Sequence, residues 1–195
     1  MLRKTTIPLM ILMLVIALCG CGLKSGVNTI QPWDTTDEQA EDAIGILTYD
    51  GNYAFAEFNI DESFKSAKMG VEYYQDSKLI KDEQPGTVKV KKTSNGMAGF
   101  CYRDERAVMG ISFDGSLETI NARLTGFEKK DDEVLSFTSL SELQDITDGK
   151  KIYLGIINSG SDTLDATVLT DPDSKEGLKG KSMLIYIIFS TEPVD

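Results

Sequence analysis

The side chains of this protein best suited to chemistry are carboxylates and thiols, because it contains no histidine. That absence excludes Ser-His-Asp and Cys-His catalysis and every zinc site that needs imidazole. Carboxylate pairs, Ser-Lys dyads and oxygen-ligand calcium sites remain. The run Asp171-Pro172-Asp173-Ser174-Lys175-Glu176-Gly177 is the most suggestive, since oxygens from Asp171, Asp173 and Glu176 would suit calcium. It departs from an EF-hand loop, because Lys175 takes the third acidic position and the terminal glutamate is missing. A solvated turn before the last strand is the simpler reading, so no metal or other cofactor is expected. Asp61-Glu62, Asp104-Glu105 and Asp131-Asp132-Glu133 are further carboxylate pairs. Acid–base work, glycoside hydrolysis included, requires two such groups facing each other across a cleft. As neighbours on turns they read as solvated, and the chain is expected not to be an enzyme. No Walker loop, GxSxG, SxxK or CxxC stretch occurs.

The elements that would carry these groups read mostly as strands. YAFAEFNI alternates imperfectly around Tyr53, Phe55, Phe58 and Ile60, and VEYYQDSKLIKDE reads as two strands around an Asp76-Ser77 turn. GTVKVKKTSNGMAGFCYRD reads as a hairpin turning at Asn95-Gly96. A two-residue loop there would set Val90 opposite Cys101. A three-residue Ser94-Asn95-Gly96 loop with Gly96 as a bulge sets Val90 opposite Phe100 and Val88 opposite Tyr102, and only that register gathers the apolar residues on one face. Lys89, Lys91, Cys101 and Arg103 then share the other face. Cys101 beside Lys89 would be a somewhat activated thiol, but with no base to complete a pair an ordinary half-buried cysteine is expected.

Further along, AVMGISF puts Ala107, Met109, Ile111 and Phe113 on one side and ends at Asp114-Gly115. SLETINARLTGF and EVLSF continue the strands. KIYLGIIN and MLIYIIF are unbroken apolar runs rich in β-branched residues, which predicts central strands covered on both faces. Two capping-box patterns predict short helices: Thr35 with Glu38 over about 36–46, and Ser139 with Glu142, where Leu140, Leu143 and Ile146 fall at helical spacing and Gly149 is the stop. Tyr73, Tyr74, Tyr102, Tyr153 and Tyr186 all fall in predicted strands, where packing explains them better than a ligand groove. Tyr73 and Tyr74 must face opposite sides, which leaves one of them free to be exposed. Nine or ten short strands without a βαβ rhythm predict an all-β antiparallel sandwich, Ig-like or similar, with one or two short helices; a barrel is the second choice.

The start of the chain reads MLRKTTIPLMILMLVIALCGCG. Arg3 and Lys4 precede an apolar run, Ile7 to Leu18, of about twelve residues, where a spanning helix needs about 20. A short apolar core behind a basic start reads as an export signal. Leu18-Cys19-Gly20-Cys21 resembles the lipobox of bacterial prolipoproteins: an aliphatic residue, a tolerant position, a small residue, then cysteine. The resemblance covers the first 21 residues only. It implies cleavage after Gly20 and a diacylglyceryl thioether on Cys21, hence an extracytoplasmic protein anchored in a membrane by lipid. Two acyl chains suffice for stable anchoring. The resulting division is a signal peptide over 1–20, a lipidated cysteine and flexible tether over 21–34, and a sandwich domain over 35–195. Trp33, the only tryptophan, stands at the end of the tether, where it either pins the tether to the domain or offers a stacking platform for sugar.

The whole chain carries 20 basic and 31 acidic residues. Loss of Arg3 and Lys4 leaves 18 against 31, a formal charge of −13. That balance argues against nucleic acid and disfavours docking on anionic lipid. With Cys19 removed and Cys21 lipidated, Cys101 stands alone and no intramolecular disulfide forms. The sequence therefore predicts a non-catalytic binding module of the cell envelope, its partner an envelope protein or a cell-wall polymer. Binding of a small ligand, calcium or glycan through loops at one end of the sandwich is the alternative.

Overall fold

Period-two alternation carries most of this chain into strands, and the polarity of alternate residues decides which face each strand buries. The computed structural model describes residues 27–33, 52–90, 94–103, 106–113, 116–123, 135–159, 164 and 166–194. Eleven strands lie among them: β1 (Thr29–Pro32), β2 (Asn52–Ile60), β3 (Ser66–Gln75), β4 (Lys78–Lys89), β5 (Ser94–Arg103), β6 (Arg106–Phe113), β7 (Ser116–Arg123), β8 (Ser136–Ser139), β9 (Gln144–Asp145), β10 (Lys151–Asn158) and β11 (Lys181–Ser190). They form a six-stranded sheet, β7-β6-β5-β2-β1-β9, and a five-stranded sheet, β4-β3-β11-β10-β8. The predicted antiparallel sandwich is the fold. The signal segment, Cys21 and the predicted 36–46 helix lie outside the described residues, as do Asp104, Glu105 and Asp131 to Glu133. No helix among the described residues is long and apolar enough to cross a membrane.

The inner faces meet in an aromatic and aliphatic core. Ile30, Phe58, Phe100, Met109 and Ile111 come from one sheet, and Met69, Val71, Ile152, Ile185, Ile187 and Phe189 from the other. Phe58 bridges the layers, its ring 4.9 Å from that of Phe189 and 5.2 Å from that of Phe113. β10 and β11 are covered on both sides as predicted. Their outer face meets a short helix, α1 (Thr167–Thr170), and a 3-10 helix, Pro172–Gly177, whose Val168 and Leu169, with Leu178, pack on Tyr74, Ile156 and Leu184.

The Asp76-Ser77 turn forms as predicted, both residues holding positive φ (47° and 68°), the combination of a tight β-hairpin turn. The Asn95-Gly96 hairpin does not. β4 pairs with β3, and β5 crosses to the other sheet, where Gly96 lies opposite Phe58 on β2 and Phe113 on β6. A Cβ on residue 96 would come within 2.2 Å of the Ser112 carbonyl and 2.3 Å of the Phe58 ring, so this glycine serves close packing and not a turn. Val88, Val90, Phe100 and Tyr102 still share the interior, from opposite sheets. Cys101 accordingly lies between Tyr53 and Val108 and is not paired with Lys89.

Three further expectations are corrected. Residues 139–149 form no helix: the Leu140 amide donates to Leu154 O, the Ile146 amide to Asn28 O, and β9 pairs with β1 between them. Leu140 and Ile146 bury their side chains while Leu143 stays exposed, so the helical spacing is an accident of an irregular segment around the two-residue β9. Thr29–Pro32, assigned to the tether, is strand β1 with Ile30 fully buried, so the ordered domain starts before residue 35. Residues 172–177 wind into the 3-10 helix where a solvated turn was expected.

Candidate functional site

Polar chemistry concentrates on the outer face of the five-stranded sheet. Alternation along β3 turns Glu72 and Tyr74 outward, and β10 adds Lys151 and Tyr153 before an irregularity at Tyr153/Gly155 shifts its register. Glu72 is almost fully buried. Its Oε1 accepts from Lys151 Nζ at 2.6 Å, and its Oε2 from Tyr74 and Tyr153 hydroxyls at 2.9 Å each and from Lys175 Nζ at 3.2 Å. Lys175, on the 3-10 helix, also donates to the Tyr153 hydroxyl and lies 4.2 Å from the centre of that ring. Lys151 reaches Asp82 Oδ2 at 2.6 Å, and Tyr186 donates to Asp82 Oδ1. Gly70 leaves room for this arrangement, since a Cβ there would lie 2.3 Å from the Tyr186 ring.

Two carboxylates and two ammonium groups thus neutralise one another. Burial works to raise the Glu72 pKa, but the bonds from Lys151, Lys175, Tyr74 and Tyr153 outweigh it and hold the carboxyl below its usual range. Burial pushes the Tyr74 and Tyr153 phenols up, reinforced by the Glu72 carboxylate, and pushes Tyr186 up to about 12. Burial works against the Lys151 ammonium, yet Asp82 and Glu72 raise its pKa. Glu72, Lys151 and the three phenols keep one protonation state across the neutral range, and the cluster acts as a fastening between the sheet and residues 166–178. Sequence reading missed it, although one signal was present: Glu72 is a lone carboxylate inside an apolar strand.

The outer face of the six-stranded sheet differs. Trp33 donates its backbone N–H to Phe55 O, and its ring stands at 83° to the Phe55 ring, 5.9 Å between centres. Trp33 therefore fastens the end of β1, one of its two expected roles. Phe55 occupies the space above Gly99, where a Cβ would come within 2.2 Å of its ring. The next cross-strand row holds Tyr53, Cys101 and Val108, with Tyr53 40% and Val108 43% exposed. The row beyond it brings positions Arg103, Arg106 and Arg123 side by side across β5, β6 and β7. The chain has only one other arginine, Arg3. Toward the opposite end of β2 the same face becomes polar, with Glu57 exposed beside Gln31 and Asn59 beside Asn95.

The other predicted residues are scattered. Asp171 and Glu176 are exposed at the two ends of the 3-10 helix, and Lys175 between them turns toward Glu72; no group of acidic or thiol ligands able to hold a metal ion occurs among the described residues. Asp61 caps the next turn, accepting from Ser63 N at 2.8 Å and from Asn28 Nδ2 at 2.8 Å. Tyr73 and Tyr74 face opposite sides as required, but both are buried; Tyr73 donates to Glu83 Oε2 at 3.1 Å. No protein family, curated protein or solved structure matches this chain.

Proposed function

We propose that this chain is an extracytoplasmic lipoprotein, cut after Gly20 and held in a membrane by lipid on Cys21, whose sandwich is a non-catalytic binding module of the cell envelope. The observation that carries the binding role is the outer face of the six-stranded sheet. It leaves Tyr53 and Val108 exposed beside Trp33 and Phe55, whereas the middle of the outer face of the other sheet is covered by residues 166–178 and that sheet's exposed apolar residues, Leu79 and Ile80, stand on its edge strand β4. Exposed apolar side chains grouped on one rigid face are a common mark of an interaction surface. The lipobox pattern supports the anchor, and β1 begins only eight residues after Cys21, a reach of about 28 Å when fully extended.

The test places a photo-crosslinking residue at Val108 of the full-length protein in its native envelope, with Leu143, exposed elsewhere, as the comparison site. A specific adduct from 108 and none from 143 is the expected result. Cys21→Ser should release the protein from the membrane fraction and diminish that adduct. Equal labelling from both sites, or none from 108 with the protein abundant and folded, refutes the binding face. Retention of Cys21→Ser in the membrane refutes the anchor.

A further inference from the structure

Antiparallel neighbours that stay paired to their ends need a connection of only about two to five residues. β10 and β11 are paired in this way: Asn158 is the partner of Ser182, and the Ser159 amide donates to Lys181 O at 2.9 Å. Yet the chain runs through residues 159–180 between them. This excursion returns over the outer face of the five-stranded sheet, where Val168, Leu169 and Leu178 pack on Tyr74, Ile156 and Leu184. Connections of that length with little regular structure are uncommon in compact domains, and lids and binding loops are prominent among them. Beneath it lies a cluster that the sheet assembles from its own strands. Glu72 and Tyr74 stand on β3, Asp82 on β4, Lys151 and Tyr153 on β10 and Tyr186 on β11. The Tyr74 and Tyr153 hydroxyls both donate to Glu72 Oε2, so the carboxylate is aimed without help from the excursion. Lys151 Nζ lies 2.6 Å from Glu72 Oε1 and 2.6 Å from Asp82 Oδ2, one cation between two carboxylates. The sheet's share of the cluster is therefore formally one negative charge in excess. Among the described residues, Lys175 alone of 166–178 hydrogen-bonds to this cluster. Its Nζ lies 3.2 Å from Glu72 Oε2, donates to the Tyr153 hydroxyl, and stands 4.2 and 5.6 Å from the centres of the Tyr153 and Tyr74 rings. An ammonium held between a carboxylate and aromatic faces is how proteins recognise cationic ligands.

We propose that Glu72, Tyr74 and Tyr153 form a binding site for a primary alkylammonium group, and that residues 166–178 are a displaceable lid whose Lys175 occupies that site in the ligand-free protein. The head group follows from the acceptors. Glu72 Oε2 and the Tyr153 oxygen each accept a hydrogen bond from Lys175 Nζ, and a quaternary ammonium has no hydrogen to give them. The stem follows from the surroundings, since Ile156 and Leu184 belong to the same buried cluster as the two tyrosines and suit a methylene chain. A purely structural role explains Lys175 less well. Lys151 already meets the Glu72 charge, and apolar residues of similar volume hold a segment in place as firmly as a buried ion pair does. Displacement leaves the site intact, because every member except Lys175 belongs to a paired strand. An incoming ammonium replaces the Lys175 bonds one for one. It has then to offset the Ser77 hydroxyl bonds to Glu176 O and Leu178 O and the packing of Val168, Leu169 and Leu178. The excess of acidic over basic residues, 31 against 20, favours the approach of a cation. This site lies on the opposite sheet from Val108 and depends neither on the anchor nor on what binds the Val108 face.

The experiment titrates the full-length protein in neutral detergent with n-pentylamine and with a blocked glycine-lysine-glycine peptide, the free and the protein-borne source of one head group. Binding is followed by calorimetry and by hydrogen exchange of the amides of residues 166–178. Tetramethylammonium and n-pentanol are the comparison ligands. Saturable binding of at least one of the two amines is expected, with faster exchange over 166–178, and the tighter amine identifies the source. Lys175→Ala should bind that amine at least about tenfold more tightly, because a tethered competitor at millimolar effective concentration is gone. Tyr153→Phe keeps the ring and removes the hydroxyl acceptor, so it should weaken binding about tenfold, as loss of a bond to a charged group implies. Glu72→Gln should abolish binding, and Tyr153→Phe decides the matter if that variant does not fold. The proposal is overturned if neither amine binds the parent, even where both bind Lys175→Ala, since the amine then only refills space that the substitution opened. Binding without faster exchange over 166–178 overturns the lid. Affinity for tetramethylammonium or pentanol equal to that for the amines overturns the primary ammonium assignment, and unchanged affinity in both Lys175→Ala and Tyr153→Phe overturns the site.

Discussion

Replacing Glu72 by glutamine tests the fastening on the five-stranded sheet. Glutamine keeps the size and one carbonyl acceptor but removes the charge that faces Lys151 and Lys175. Breaking a buried ion pair from one side costs about 3–5 kcal/mol. Lys151 keeps Asp82 at 2.6 Å, and Lys175 keeps the Tyr153 ring and hydroxyl, so the lower end, about 3 kcal/mol, is the expected loss at pH 7. For a chain of this length that is a fall of about 6–12 °C in melting temperature. The pH dependence follows from the direction of the Glu72 shift. Its folded pKa lies below the unfolded value near 4.5, so its stabilisation is complete above that pH and disappears as pH falls through the lower folded value. Melting curves of parent and Glu72→Gln, taken from pH 7 down to pH 3, should therefore converge in the acid range. A variant that melts with the parent at pH 7, or a gap that stays constant down to pH 3, refutes the reasoning.

Two further substitutions probe the places where local signals and tertiary structure disagree. Gly96→Ala puts a methyl group against the Ser112 carbonyl and the Phe58 ring and should lower stability by about 1–3 kcal/mol, read by chemical denaturation; an unchanged midpoint would return Gly96 to a turn. Ser77→Gly relieves a positive φ worth about 1–2 kcal/mol, and glycine's added freedom in the unfolded chain takes back about 0.4–1 kcal/mol of that. It also deletes the one hydroxyl proton, shared between Glu176 O and Leu178 O at 2.7 and 2.8 Å and worth about 1 kcal/mol, so a net change of less than about 1 kcal/mol is expected and a loss of about 2 kcal/mol or more would contradict it.

Face polarity was legible in the sequence, and strand partnership was not. Val88, Val90, Phe100 and Tyr102 were correctly assigned to one interior, because period-two alternation reports which side of a sheet a residue faces. It does not report which sheet, and a sandwich satisfies the same pattern with the two strands in opposite layers. The Asn95-Gly96 dipeptide then misled, since a glycine needed for the Phe58 ring looks identical to one needed for a turn. The 139–149 segment failed for a related reason: two buried residues six apart, Leu140 and Ile146, suit an extended chain as well as a helix, and exposed Leu143 between them shows which was chosen. Asp76-Ser77 succeeded because both turn residues connect strands that are adjacent in sequence and in space. The Glu72 cluster draws on β3, β4, β10, β11 and the 3-10 helix, with hydrogen bonds between residues up to 104 apart in sequence, and no local pattern encodes it.

The same limit governs charge. The chain's formal −11 says nothing of how its charges are mixed. On the five-stranded sheet they cancel pair by pair: Lys151 meets both Glu72 and Asp82, Lys175 meets Glu72, and Lys81 meets Glu83. An acidic total therefore coexists with a neutral cluster, because pairing depends on which strands lie side by side and net charge records only the sum.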